Sequence, residues 1–194
     1  PFYGQRFSEQ KIDVSKIKTI EHLRDLPFTT KHDLRLSYPD GMVAVPREKI
    51  VRMHASSGTT GKSTVIFYTK NDIEAWADQV CRGLYAAGVR PADTFQNMMG
   101  YGLFTGGLGL HYGAERLGCM VIPTSTGNSP KQIELMQDFG ATLAHITPSY
   151  ALHLGEFVQN ELGLDPRDLP VKKAILGAEP YSEGTKDKIE QLWN

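Results

Sequence analysis

The stretch "HASSGTTGKST", His54 to Thr64, concentrates small residues, hydroxyls and charge as no other part of this 194-residue chain does. It reads as a phosphate cradle. Gly58 and Gly61 free the backbone to turn and bring N–H groups close to an anion. Ser56, Ser57, Thr59 and Thr60 add hydroxyl donors, and Lys62 adds a positive charge on a long arm. The flanks, "IVRMHA" from Ile50 to Ala55 and "TVIFYT" from Thr64 to Thr69, are rich in β-branched and aromatic residues, so the loop is predicted to lie between two strands. The plain alternative is a polar hairpin turn with no ligand.

Two ligand-binding readings compete for these letters. A Walker A loop, G-x-x-x-x-G-K-[ST], needs a helix directly after it; Gly61-Lys62-Ser63 fits its end, but Ser56 stands where its first glycine belongs. The β-branched run that follows is a poor start for a helix. A Ser/Thr/Gly-rich loop ending in Gly-Lys between two strands instead resembles the signature of the adenylate-forming enzymes. A P-loop NTPase or kinase stays as the alternative.

Composition narrows the classes. With 40% hydrophobic and 22% charged residues the chain is that of an ordinary globular protein, and its net charge of −1 gives no reason to expect nucleic acid or an anionic membrane as partner. Cys81 and Cys119 lie far apart with no Cys/His cluster at metal spacing, so they read as thiols in a reducing compartment, and no metal ligands are assigned. No apolar run approaches the ~20 residues of a membrane span, and "PFYGQRF" lacks signal character. A cytoplasmic protein is expected. The opening on Pro1 and the stop at "EQLWN", within an amphipathic pattern, suggest a piece of a longer protein.

Two regions are expected. Residues 1–49 read as mixed short helices and turns, with Thr30 and Asp33 spaced to cap a helix over "KHDLRLS". Residues 50–194 read as an α/β nucleotide- and acid-binding region, incomplete at its C-terminal end. Ile73, Trp76, Ala77, Val80, Cys81, Leu84 and Ala87 mark one helical face, ended by Gly88. "DTFQNMM", "GCMVIPT", "ATLAHIT" and "VKKAILG" read as strands; Ser129-Pro130, Thr147-Pro148 and Ser182 read as helix starts, each with a capping hydroxyl. The alternation of strand and helix from residue 65 predicts a doubly wound, mostly parallel sheet. Ligands of such folds gather at the carboxyl ends of strands, so the cradle, the "GYG" turn after Met99 and the "GAEP" turn after Leu176 are expected to line one crevice.

These three loops, with "DLPFTTKHDL", "VPREKIVRMHASSGTTGK" and the glycine-rich "GYGLFTGGLGLHYGAERLG" between the strands "DTFQNMM" and "GCMVIPT", resemble the phenylacetate-coenzyme A ligase family of adenylate-forming enzymes. The resemblance implies part of that superfamily's large N-terminal domain, truncated, with the mobile C-terminal domain absent. It implies an acid-thiol ligase that uses ATP, Mg²⁺ and coenzyme A to activate an aryl acid. Ser56 to Lys62 would bind the phosphates, with Lys62, Thr59 and Thr60 stabilising the departing pyrophosphate. Gly177, Ala178, Glu179 and Pro180 would line the adenine pocket, and Tyr101, Gly102 and Phe104 the acid site. The family has proline after the cradle lysine, where Ser63 stands here. His111 and His145 are expected to be structural. The Mg²⁺, ribose and C-terminal lysine contacts would lie after Asn194, so this stretch alone is expected to turn over little. A homodimer is one assembly left open, and a nucleotide-binding relative without ligase activity is the other alternative.

Overall fold

The computed structural model describes residues 2–56 and 63–194. The chain divides into two compact units, Pro1–Ile73 and Glu74–Asn194.

The first unit carries α1 (Phe2–Glu9), α2 (Lys31–Leu36), short 3₁₀ turns and the strands β1 (Ile50–Ala55) and β2 (Val65–Thr69). Thr30 and Asp33 form the expected capping box of α2: Asp33 accepts from the Thr30 N–H at 2.7 Å, and the Thr30 hydroxyl accepts from the Asp33 N–H. Arg6 of α1 reaches the same carboxylate at 3.2 Å. β1 and β2 pair antiparallel, with Met53 opposite Phe67 and a bulge between Ile50 and Arg52. They form a two-stranded sheet of their own. The strand read at 65–69 therefore exists but does not open the parallel sheet, as the simple alternation had predicted.

The second unit is a doubly wound α/β layer structure. Helix α3 (Lys70–Ala86) leads into β3 (Thr94–Asn97), followed by α4 (Thr105–Leu117), β4 (Met120–Ile122), α5 (Ser129–Asp138), β5 (Leu143–Ile146), α6 (Pro148–Asn160), β6 (Lys173–Leu176) and α7 (Glu183–Trp193). The four strands are parallel in the order β4-β3-β5-β6. Alternate residues of each strand point to opposite faces. Phe95 and Leu143 pack with Leu84, Val89 and Ala114 under α3 and α4. Ala144 and Ile146 pack with Ile133, Met136, Leu154, Val158 and Ile189 under α5, α6 and α7. The helix starts follow the sequence with one exception. Thr147 caps α6 and Ser182 caps α7, but α5 is capped by Asn128, in the left-handed conformation, with Ser129 already helical.

Three of the glycines in α4 are needed for packing. A Cβ on Gly109 would stand 2.4 Å from the Trp76 ring, one on Gly113 2.3 Å from Val80, and one on Gly107 2.3 Å from the carbonyl oxygen of Gly100. The first two let α3 lie close against α4; the third locks α4 to the turn after β3.

The amino ends of the strands are held by Asp93. Its carboxylate pairs with Lys173 Nζ at 2.7 Å and accepts from the Thr142 hydroxyl at 2.9 Å and the Arg90 N–H at 2.8 Å. Burial alone would raise its pKa, but the Lys173 bond with those from Arg90 and Thr142 outweighs that and lowers it. Such a carboxylate stabilises the fold fully above its unfolded pKa, and the contribution is lost as pH falls through the lower folded value. Asp93→Ala should therefore cost about 2–3 kcal/mol in urea unfolding at neutral pH, with a smaller difference from the parent chain in acid. Gly107→Ala should cost about 1–3 kcal/mol in the same experiment, because the obstructing atom belongs to the backbone.

Candidate functional site

Parallel strands place their carboxyl ends along one edge of the sheet, and the turns that carry Tyr101 and Glu179 follow β3 and β6 there. Asn97 is the last residue of β3 and is fully buried. Its amide orientation is fixed by two one-way neighbours. The Gly107 carbonyl can only accept, and takes a hydrogen bond from Nδ2 at 2.8 Å; the Met99 N–H can only donate, and gives one to Oδ1 at 3.4 Å. The second Nδ2 hydrogen goes to the Tyr101 hydroxyl at 2.7 Å, and Oδ1 also accepts from His145 Nδ1 at 2.9 Å. The Asn97 backbone carbonyl receives the Thr124 hydroxyl and the Ser125 N–H, both at 3.1 Å, which ties the loop after β4 to the same point.

Tyr101 thus sits at the centre of a line of side chains. Its hydroxyl lies 3.0 Å from His111 Nδ1, and His111 Nε2 lies 3.0 Å from Glu115. Burial pushes the Tyr101 phenol up to about 12, the bond from Asn97 opposing and the Glu115 charge assisting, so the hydroxyl keeps its proton at neutral pH. Burial also lowers His145 to about 4, which leaves it a neutral Nδ1–H donor to Asn97. The two histidines expected to be structural are therefore parts of the assembly that holds Tyr101. Asn97 was not read as a site residue at all.

Phe104 is not a core residue: half of it is exposed, and its ring lies over Gly106, whose Cβ would come within 2.5 Å of it. Gly102 is exposed with open space around it. Tyr101, Gly102 and Phe104 thus place a phenol, bare backbone and a half-exposed ring along one lip, the segment between β3 and α4.

The "GAEP" turn follows β6 at the same edge. Ala178 holds φ of 71°, a left-handed conformation that costs a residue with a Cβ about 1–2 kcal/mol. Glu179 does not project freely. Its carboxylate accepts from the Ser149 N–H at 2.6 Å at the amino end of α6, where the helix dipole favours an anion. The Ser149 bonds lower its pKa. Gly177 and Pro180 flank this anchored pair, whose acid faces the helix.

Of the stretch Ser56 to Lys62, read from the sequence as a phosphate cradle, Ser56 is described. Its N–H donates to the Thr64 carbonyl at 2.9 Å and its hydroxyl accepts from the Thr64 N–H at 3.0 Å, closing the hairpin. Ser57, Gly58, Thr59, Thr60, Gly61 and Lys62 lie outside the described residues. The segment after the cradle is the strand β2, which corrects the Walker A alternative: a P-loop requires a helix there. Among the described residues no three His, Cys, Asp or Glu side chains converge on a metal site, and no helix is long and apolar enough to cross a membrane.

No protein-family model matches the chain. It is 51% identical over 191 residues to a phenylacetate-coenzyme A ligase of Pseudomonas putida, covering 98% of this chain and 43% of that protein. A ligase of the same name from Thermus thermophilus is 48% identical over the same shares. Among solved structures, a 2-hydroxyisobutyryl-CoA ligase in complex with 2-HIB-AMP and CoA superposes with a TM-score of 0.89 at 32% identity, over 100% of this chain and 43% of that one. The chain spans less than half the length of these proteins. Over the stretch that it shares with them, it is a relative of the phenylacetate-coenzyme A ligases and has the fold of the adenylate-forming ligases.

Proposed function

We propose that this chain forms the acid- and nucleotide-binding front of a ligase that activates an aryl carboxylate, of the phenylacetate type, in two steps. The acid oxygen attacks the α-phosphorus of ATP, giving an acyl-adenylate and pyrophosphate. The thiol of coenzyme A then attacks the acyl carbon, giving the thioester, AMP and a proton. The observation that carries this reading is the 47–51% identity to phenylacetate-coenzyme A ligases over 98% of the chain.

The physical problem is that a carboxylate is a poor electrophile with a poor leaving group, and AMP supplies a good one. On this reading Ser56 to Lys62, with Thr59 and Thr60, bind the β- and γ-phosphates through N–H, hydroxyl and ammonium donors that need no reorganisation as charge builds on pyrophosphate. Gly177 to Pro180 bind adenine, the anchored Glu179 holding the turn in shape. Tyr101 donates to the acid's carboxylate, and Gly102 and Phe104 face its ring. The described residues offer no dedicated Mg²⁺ cage; Mg²⁺ commonly arrives on substrate phosphates with several waters. The nucleotide- and acid-binding region is taken to start at residue 50, and the free thiols Cys81 and Cys119 suit the cytoplasm.

Acid-dependent exchange of labelled pyrophosphate into ATP by the full-length protein tests the reading. Phenylacetate or a related aryl acid should drive exchange; none across a panel of such acids would refute ligase activity, and nucleotide binding without thioester formation would favour a non-ligase relative. Lys62→Ala should slow exchange roughly ten- to hundredfold, equivalent to about 1.5–3 kcal/mol, with little change in thermal midpoint. Tyr101→Phe should raise KM for the acid about tenfold while leaving KM for ATP near its original value.

A further inference from the structure

The inference rests on the reading that Tyr101 meets the carboxylate of the acid. Along the line from β5 to α4 every polar atom has one role until Tyr101, where a choice remains. The Asn97 amide is pinned by Gly107 and Met99, so its Nδ2 can only donate to the Tyr101 oxygen. The hydroxyl then has one lone pair and one proton left to place. With His111 neutral, the satisfied arrangement sends that proton to His111 Nδ1 and the Nε2–H to Glu115, each across 3.0 Å. In this state Tyr101 has no donor for a ligand.

A carboxylate can only accept. To bind it, Tyr101 must turn its O–H away from His111, which leaves Nδ1 facing an oxygen lone pair. That contact is attractive only if Nδ1 carries a hydrogen. The neutral tautomer with hydrogen on Nδ1 would set a bare Nε2 lone pair against the Glu115 carboxylate. The imidazolium satisfies both sides at once: Nδ1–H donates to Tyr101 and Nε2–H to Glu115.

We propose that binding of the acid at Tyr101 is coupled to uptake of a proton by the His111–Glu115 pair, which converts the Tyr101 hydroxyl from an internal donor into a donor toward the acid's carboxylate. The proton comes from solvent, and no substrate bond is made or broken in this step. The placement of the pair suits the exchange: the His111 side chain is 18% exposed and Glu115 52% exposed, so the proton enters from the wet end of the line. The surrounding groups leave Glu115 as its charge partner among the described residues. From α4 itself the Tyr112 ring lies beside the imidazole. From α3, Glu74 and Asp78 engage Arg116. From β5, His145 is neutral and reaches the line through Asn97. His111 and Glu115 are positioning residues, since neither is required to touch the acid.

The test is the pH dependence of KM for phenylacetate in pyrophosphate exchange by the full-length protein, from about pH 6 to 9, across the range in which histidine titrates. KM should rise with pH, approaching about tenfold per unit once the imidazole is neutral, while kcat changes far less. In His111→Gln the amide donates to Tyr101 at every pH, so KM should be nearly flat; in Glu115→Gln, a half-exposed substitution that spares folding, the profile should differ from that of the wild type, because the group facing Nε2 is then neutral. Calorimetry of phenylacetate binding in buffers of different ionisation enthalpy should give uptake approaching one proton above the titration, absent in His111→Gln. The same pH profile in wild type and both variants, or no proton uptake by the wild type, would overturn the coupling while leaving the ligase reading intact. Absence of exchange with every aryl acid would overturn the ligase reading first.

Discussion

A single buried amide holds the candidate site together. Asn97 ends the central strand β3 with no exposed surface, and an unpartnered amide there would cost several kcal/mol. Its partners come from β5, from α4, from the turn after β3 and, through its carbonyl, from the loop after β4. Satisfying one side chain therefore sets the positions of three neighbouring segments, and its carbonyl ties in a fourth. The hydroxyl of Tyr101 has its place because Asn97 has no other way to be satisfied.

The two ends of the sheet divide the work. At the amino ends Asp93 joins the residues leading into β3, β5 and β6 through an ion pair and hydrogen bonds, and its role is stability. At the carboxyl ends the same strands terminate in neutral polar groups, a strained alanine and a tyrosine half out of the core. Among the described residues, the carboxylates of Glu115 and Glu179 are each bonded to a helix-borne group, His111 of α4 and the Ser149 N–H of α6.

What could be read from the sequence was local. Apolar spacing marked α3, and the hydroxyl-proline pair at Thr147-Pro148, Ser182 and the Thr30/Asp33 box marked helix starts, because each depends on atoms within a few residues. The loops after β3 and β6 were legible because glycine and alanine in a strand-to-helix turn have few other uses. The hairpin's separation from the parallel sheet was not legible, since β2 has the same composition as a parallel strand and only its partner distinguishes it. Asn97 was missed for a related reason: its bond to His145 spans 48 positions, and nothing in "TFQNMM" indicates that Gln96 and Asn97 are both buried or what each bonds. His111 and Glu115 carried a weak signal, a pair four apart on one helical face, whose meaning depended on Tyr101 lying beyond the helix start.

The glycine pattern of α4 separates what this site can change from what it cannot. Gly107, Gly109 and Gly113 are committed to backbone or packed side chains, so that half of the segment admits almost no variation. Gly102 has open space around it and Phe104 is half exposed, so the lip can accept new side chains while Asn97 keeps Tyr101 where it is. Drift at a few surface positions can therefore reshape this lip while the buried amide and the tyrosine hydroxyl it holds stay unchanged.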